Sequence, residues 1–389
     1  MLSCLSFWCC RDDAAAGDAS RKHNPSSSTR LLNSPLPRRA VSRETRRAAP
    51  PAIPVSVASP AIPIFAASSA RLTHRRLQSD FLDTLNLQYA IYPLSSAQLH
   101  DEGIRMEQNK FTIEGTHPKG DVLYSTNNCT VIRYRGVSGS KDYVVKTVNE
   151  TTEVMRFGGQ ALCGVLELTG SMNTKLDLLI NAASALWELH RNNIVHRDVK
   201  PANFLVSDKG RVCITDMMDT GRYEPGLGLN ELKPKSCEKS TFLFSDPVYE
   251  GHNGTGYTVD VHAFGIMMLD CLLPDFMAQF KRNRFASLGL KIMCRDSNEL
   301  RKNIEQSMSD HSCVIPEHLK EPLTTLLVSM LAYEAEENAN FEDCKVSTRP
   351  TMFDVFNRLA DMKTQLSPIE SMRRSEEVSG NNVAPSACA

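Results

Sequence analysis

The chain has 389 residues, with 44 Lys plus Arg against 45 Asp plus Glu and a formal net charge of -1. That balance excludes a protein whose whole surface is built to grip nucleic acid or an anionic membrane. Apolar residues make up 41% of the chain, enough at this length to close a sizeable core, which excludes collagen-like, wholly disordered and miniprotein readings.

In chain order, residues 1–79 carry 12 Lys/Arg against 4 Asp/Glu, a net of +8 that leaves -9 for residues 80–389. Residues 1–70 also hold 8 of the 20 prolines among many Ser and Ala. They read as a disordered, partly polyproline tail, because proline at that density denies helix interiors and sheet ladders. The apolar opening MLSCLSFWCC offers Cys4, Cys9 and Cys10 for acylation, hence for anchoring at a membrane. The Arg/Ser/Ala richness is similar to an organellar transit peptide, against which Asp12, Asp13 and Asp18 count. Residues 71–120 form an extension of mixed signals, in which Phe81, Leu82, Leu85, Leu87 and Tyr89 offer an apolar face to something downstream.

Residues 122–125, 130–135 and 142–148, parted by turn and loop signals, predict a three-stranded antiparallel meander. A helical period then places Leu176, Leu179, Ile180, Ala183, Leu186 and Trp187 on one face, predicting a helix over 174–192 with Thr174 as N-cap. A second hairpin follows, 203–206 and 211–215. Beyond Gly256 the pattern is helical, and residues 259–273 are apolar enough all round for a helix buried inside a lobe. Asp260, His262 and Asp270 interrupt that stretch, so no transmembrane segment is expected. Twelve cysteines without a CxxC pair read as reduced thiols of a cytoplasmic chain. Residues 365–389 return to Ser, Asn and Gly and predict a disordered C-terminal tail. Strands first and helices later give an α+β chain in two lobes, one small and β-rich, the other mainly helical.

The chemistry concentrates in Ile194-Val195-His196-Arg197-Asp198-Val199-Lys200-Pro201-Ala202-Asn203-Phe204-Leu205-Val206 and in Asp216, 13 residues past Asn203. The string resembles the catalytic loop of the protein kinase family, HRDxKPxNxLV, and the resemblance spans residues 121–364. Phosphoryl transfer, which the resemblance implies, needs a carboxylate to orient a hydroxyl, oxygens to hold Mg²⁺ and a cation to offset phosphate charge. Asp198, Asn203, Asp216 and Lys200 supply that set at the matching positions. Small-molecule phosphotransferases share a looser Asp-to-Asn spacing and usually lack the Arg and the Lys-Pro.

The resemblance implies that Asp198 and Lys200 are catalytic, that Asn203 and Asp216 hold Mg²⁺ and the nucleotide, and that ATP phosphorylates Ser or Thr of a protein substrate. No nucleic-acid partner is implied. Tyr143-Val144-Val145-Lys146 resembles the strand whose Lys reaches the α and β phosphates, and Val131 matches the Val that roofs the adenine. Val259-Asp260-Val261-His262-Ala263-Phe264-Gly265 resembles the buried helix whose Asp holds the catalytic-loop backbone. Pro247 matches the Pro of the APE motif and Thr241 the substrate-loop Thr. Glu250 then stands in for the missing Glu and pairs with Arg349 of Ser347-Thr348-Arg349-Pro350-Thr351. The acidic run 334–345 before it reads as a solvated loop.

Departures from the family cluster in the small lobe. Tyr124, Thr126 and Cys129 stand where the family has three phosphate-loop glycines, and Met217-Met218 follow Asp216 where the family keeps a Gly. Lys146 and His196 are only 50 residues apart. If residues 165–168 are the hinge strand, the family's αC helix is missing, reduced, or replaced by residues near 71–110. Glu153, with Glu150, is then the candidate carboxylate for Lys146. Three readings follow: a Ser/Thr protein kinase, a pseudokinase or scaffold with impaired nucleotide binding, and a shortened form of an active kinase.

Overall fold

The computed structural model describes Leu85 and residues 87–107, 110–136, 141–149, 151–217, 221–222, 242–247, 256–310, 315–333 and 349–380. The tail 1–70 with Cys4, Cys9 and Cys10, and Glu150, Met218, Thr241, Glu250 and the run 334–345, lie outside the described residues.

The extension before residue 120 contains regular structure. Ser95 caps α1 (Ser96–Asp101) through a capping box with Gln98, each side chain accepting from the other's backbone N–H. Strands β1 (Ile104–Glu107) and β2 (Lys110–Ile113) then form an antiparallel hairpin. The predicted meander follows as β3 (Gly120–Ser125), β4 (Cys129–Tyr134) and β5 (Tyr143–Val148). A fourth strand, β6 (Thr151–Arg156), extends the antiparallel sheet in the order β3-β4-β5-β6. Side chains alternate across a sheet. Tyr143, Val145 and Val154 therefore pack with Ile104, Phe111 and Ile113 of the β1–β2 hairpin. Val131, Val144 and Met155 form a separate cluster on the other face, and Lys146, two residues on from Val144, shares that face.

The chain leaves this lobe through Phe157, Gly158 and Gly159, pairs briefly with the second lobe in β7 (Gln160–Ala161), and enters α2 (Leu162–Leu168). Residues 165–168 are thus helical, which corrects the expected hinge strand. A short apolar run cannot by itself distinguish strand from helix, and here Leu162 and Leu166, one turn apart, are buried while Leu168 is exposed. Gly159 has φ 118, and a Cβ there would stand 2.0 Å from the Val206 carbonyl oxygen. The crossing must therefore be glycine at this point.

Helix α3 (Met172–Arg191) begins after Ser171, so Thr174 lies within the first turn and is not the N-cap. It leads into β8 (Ile194–Val195), a 3₁₀ turn (Pro201–Asn203), β9 (Phe204–Val206), β10 (Val212–Ile214) and β11 (Gly221–Arg222). The second predicted hairpin is present as β9 and β10. The rest of the lobe comprises α4 (Thr258–Leu272), α5 (Pro274–Ala278), α6 (Arg284–Met293), α7 (Ser297–Asp310), α8 (Glu317–Leu331) and α9 (Met352–Gly380). Helix α4 is buried on every side, as its composition predicts.

Helix α9 runs well past residue 364, where the sequence suggested a disordered tail. Its core period of Met352, Val355, Leu359, Met362 and Leu366 carries across that point, and all five are buried. Cys163, Cys213, Cys271 and Cys294 carry thiols and form no disulfide. Among the described residues no helix is long and apolar enough to cross a membrane. The architecture is α+β: a small lobe on an antiparallel sheet and a helical lobe.

Candidate active site

The site is built on Asp260, at the buried start of α4. Its carboxylate accepts the backbone N–H groups of His196 and Arg197, each at 2.7 Å, and lies 3.0 Å from His190 Nε2. Burial alone would raise its pKa; the hydrogen bond and charge of His190, with His196, hold it below the usual carboxylate range. An ionised, fully bonded carboxylate thus fixes the loop after β8, including Arg197 in the left-handed region at φ 70. Asp198 N–H donates to His196 Nδ1 at 3.3 Å, which leaves Nε2 to donate to the Thr215 carbonyl at 2.9 Å. His196 therefore ties the loop to the residue before Asp216.

Lys200 donates to Asp198 Oδ2 at 2.8 Å, and Asn203 Nδ2 donates to the same oxygen at 3.0 Å and to the Asp198 carbonyl at 2.7 Å. Burial pushes the Asp198 pKa up, against the lowering effect of Lys200. Across the cleft, Lys146 donates to Asp216 Oδ1 at 3.0 Å. Burial opposes ionisation of Asp216, yet Lys146 and Lys200 outweigh it and bring its pKa down to about 2. Asp216 sits at φ 64, a strained conformation of the sort that functional sites retain. Val131 and Glu153 lie directly across the ladder from Lys146 on its two neighbouring strands. Lys146, Glu153 and Met155 from the small lobe line one cavity with Thr215, Asp216 and Met217.

The structure thus gathers Asp198, Lys200 and Asn203 in one cluster, with Lys146, Asp216, Glu153 and Val131 at the adjoining cleft. The side-chain oxygens Asp198 Oδ1 and Asn203 Oδ1 are buried without a hydrogen-bond partner. A carboxylate held ionised and an unsatisfied amide oxygen are hard donors that fit Mg²⁺, which commonly takes one or two protein oxygens and completes its shell from phosphates and water.

The β3–β4 turn, which carries Thr126 and Cys129, is bonded to itself. Thr126 N–H donates to the Cys129 carbonyl at 2.7 Å, and Cys129 N–H to Thr126 Oγ1 at 3.1 Å. These two amides serve the turn.

Arg349 is buried and pairs in bidentate fashion with Asp246, one residue before Pro247; the expected partner, Glu250, lies outside the described residues. Nearby His262 is enclosed, and burial drives its pKa down to about 3, well below the 6.5 of an ordinary imidazole. As pH falls below 6.5 the unfolded chain gains a proton there that the folded chain refuses, so folding stability should drop by about 1.4 kcal/mol per pH unit from this group. Urea unfolding of His262→Phe should show that much less acid sensitivity between pH 6.5 and 5; equal slopes for both proteins would refute the assignment.

Sequence reasoning did not find Ile91 and Pro93, which line the same cavity from the N-terminal extension. The only signal was the apolar face noted near Leu85 to Tyr89.

Comparison with known proteins agrees with this geometry. The protein kinase domain matches residues 121–347, more than half of the chain. The chain is 29% identical over 170 residues to a protein of Dictyostelium discoideum described as probable serine/threonine-protein kinase gdt8, covering 43% of this chain and 12% of that one. It is 36% identical over 84 residues to the phosphorylase b kinase gamma catalytic chain, liver/testis isoform, of Bos taurus, covering 22% and 21%. It is 27% identical over 161 residues to the inhibitor of nuclear factor kappa-B kinase subunit alpha of Gallus gallus, covering 39% and 20%. The matches thus span about a fifth or less of these relatives' lengths. With the two lobes, the Asp260-held loop and the Lys146–Asp216 cleft in place, the chain belongs to the protein kinase family.

Proposed function

We propose that the chain is a Ser/Thr protein kinase that transfers the γ-phosphoryl group of ATP to a protein hydroxyl. The observation that carries this reading is the convergence of Lys200 and Asn203 on the Asp198 carboxylate, beside a cleft in which Lys146 meets Asp216. Asp198 orients the acceptor hydroxyl and takes up its proton, and its upward-shifted pKa suits that task. Lys200 offsets charge on the phosphoryl group in flight, and Lys146 holds the nucleotide phosphates beneath Val131. Asn203 and Asp216 would hold Mg²⁺, which supplies charge neutralisation at the phosphates. The Lys-Pro after Asp198 and the Ser/Thr kinases among the relatives favour a Ser or Thr acceptor. With two amides of the β3–β4 turn committed to the turn itself, phosphate gripping is weak and ATP affinity low.

A second reading, a pseudokinase, is favoured by one observation: the Thr126 and Cys129 amides of the β3–β4 turn, where a phosphate loop would be, bond within the turn itself.

Titration with ATP and Mg²⁺ separates the two. A ligand that binds only the folded state stabilises it by RT ln(1 + [L]/Kd), so Mg·ATP raised to about ten times its Kd should add about 1.4 kcal/mol and raise Tm by a few degrees even where affinity is low. An unchanged Tm would overturn the kinase reading.

A further inference from the structure

Residues 87–94 run as a strap from the helical lobe to the sheet. Glu188 of α3 is 3% exposed, and its two carboxylate oxygens accept the backbone N–H groups of Gln88 (2.9 Å) and Tyr89 (2.7 Å). The strap next pairs with β10: Ile214 N–H donates to the Tyr89 carbonyl and Ile91 N–H to the Ile214 carbonyl, both at 2.7 Å. It then reaches the small lobe, where Leu94 N–H donates to the Val154 carbonyl of β6 at 2.7 Å. On the way, Ile91 and Pro93 form part of the wall of the cavity that holds Lys146 and Asp216. From outside, Arg211 donates to the Gln88 carbonyl and lies over the Tyr89 ring, 4.9 Å from its centroid.

Each link acts on the next. A buried carboxylate needs donors, and two backbone amides aimed at its two oxygens fix the strap's position and register. The strap in turn supplies both backbone bonds to Ile214, two residues before Asp216. Asp216 stands at φ 64, a conformation that the surroundings must hold. We infer that Glu188, far from the chemistry, is a positioning residue that acts through residues 88–91 to set Asp216 for the metal and the nucleotide. This inference rests on the proposed nucleotide binding, and it gives the N-terminal extension a part in the site.

The test uses the full chain and Mg·ATP, with thermal shift as the readout. Glu188→Gln keeps size but offers a single acceptor oxygen to the two amides. It should raise the Mg²⁺ concentration needed for half the ATP-dependent shift by about tenfold, the equivalent of roughly 1.4 kcal/mol, and should speed hydrogen exchange at Ile214 and Ile91 without ligand. In an Asp216→Ala background the Mg²⁺ effect of Glu188→Gln should vanish, because the two act in series. An unchanged Mg²⁺ requirement in Glu188→Gln would overturn the inference, as would an effect that persists undiminished without Asp216. If Glu188→Gln does not fold, Arg211→Gln loosens the same strap from its exposed side and should move the requirement in the same direction by a smaller factor; no movement would overturn the inference equally. If the unmutated protein gives no shift with Mg·ATP, the kinase reading itself falls and this inference with it.

Discussion

Asp198→Asn should slow phosphoryl transfer to a protein acceptor by about 10²- to 10⁴-fold, the range that a positioned general base contributes. Asparagine keeps the shape and one oxygen for the Lys200 and Asn203 donors that now share Asp198 Oδ2. What it removes is the ability to take a proton. The ATP-dependent rise in Tm should therefore persist, because the nucleotide contacts assigned above lie at Lys146 and Asp216. Transfer of labelled phosphate from γ-labelled ATP to casein, run beside the thermal shift, checks both halves. A rate equal to wild type would assign proton removal elsewhere, and loss of the shift would make Asp198 part of the nucleotide site.

The largest stability effect is expected at Asp246. Both it and Arg349 have fully buried side chains, and they join two stretches 103 residues apart. Asp246→Ala strands a guanidinium in the interior and should cost about 3–5 kcal/mol, whereas the pair replaced together by apolar residues can be nearly neutral. Urea unfolding should therefore rank Asp246→Ala well below Asp246→Ala/Arg349→Leu. If the single and double variants unfold together at wild-type denaturant concentrations, the pair is not a buried clamp.

Legibility in the sequence followed the range of the forces involved. The meander at β3 to β5, the β9–β10 hairpin and the buried α4 were readable because alternation, turn residues and all-round apolarity are local. The catalytic string was readable because Asp198, Lys200 and Asn203 lie within six consecutive positions. Strand β6 was missed since Thr151-Thr152-Glu153 is polar on the flank of a short ladder. The run 165–168 was misread because four apolar residues fit either period. Nothing local could pair Tyr89 with Glu188, 99 residues away, or show that Ile91 and Pro93 complete a cavity wall. The pairing of Asp246 with Arg349 was not read, because a motif written in single letters does not say which nearby carboxylate the backbone turns inward.

The described chain crosses between the lobes twice, once at Gly158 and Gly159 and once in the strap near Ile91. A Cβ on Gly158 would stand 2.1 Å from Ile91 Cδ1, so the two crossings touch. A single glycine linker would act as a swivel, free to twist as well as bend. Two strands laid against each other act as a ribbon hinge, which folds about one line and resists torsion. Opening and closing of the cleft is then confined to a jaw-like stroke, in which Lys146 and Asp216 separate and return along one path instead of sliding past each other.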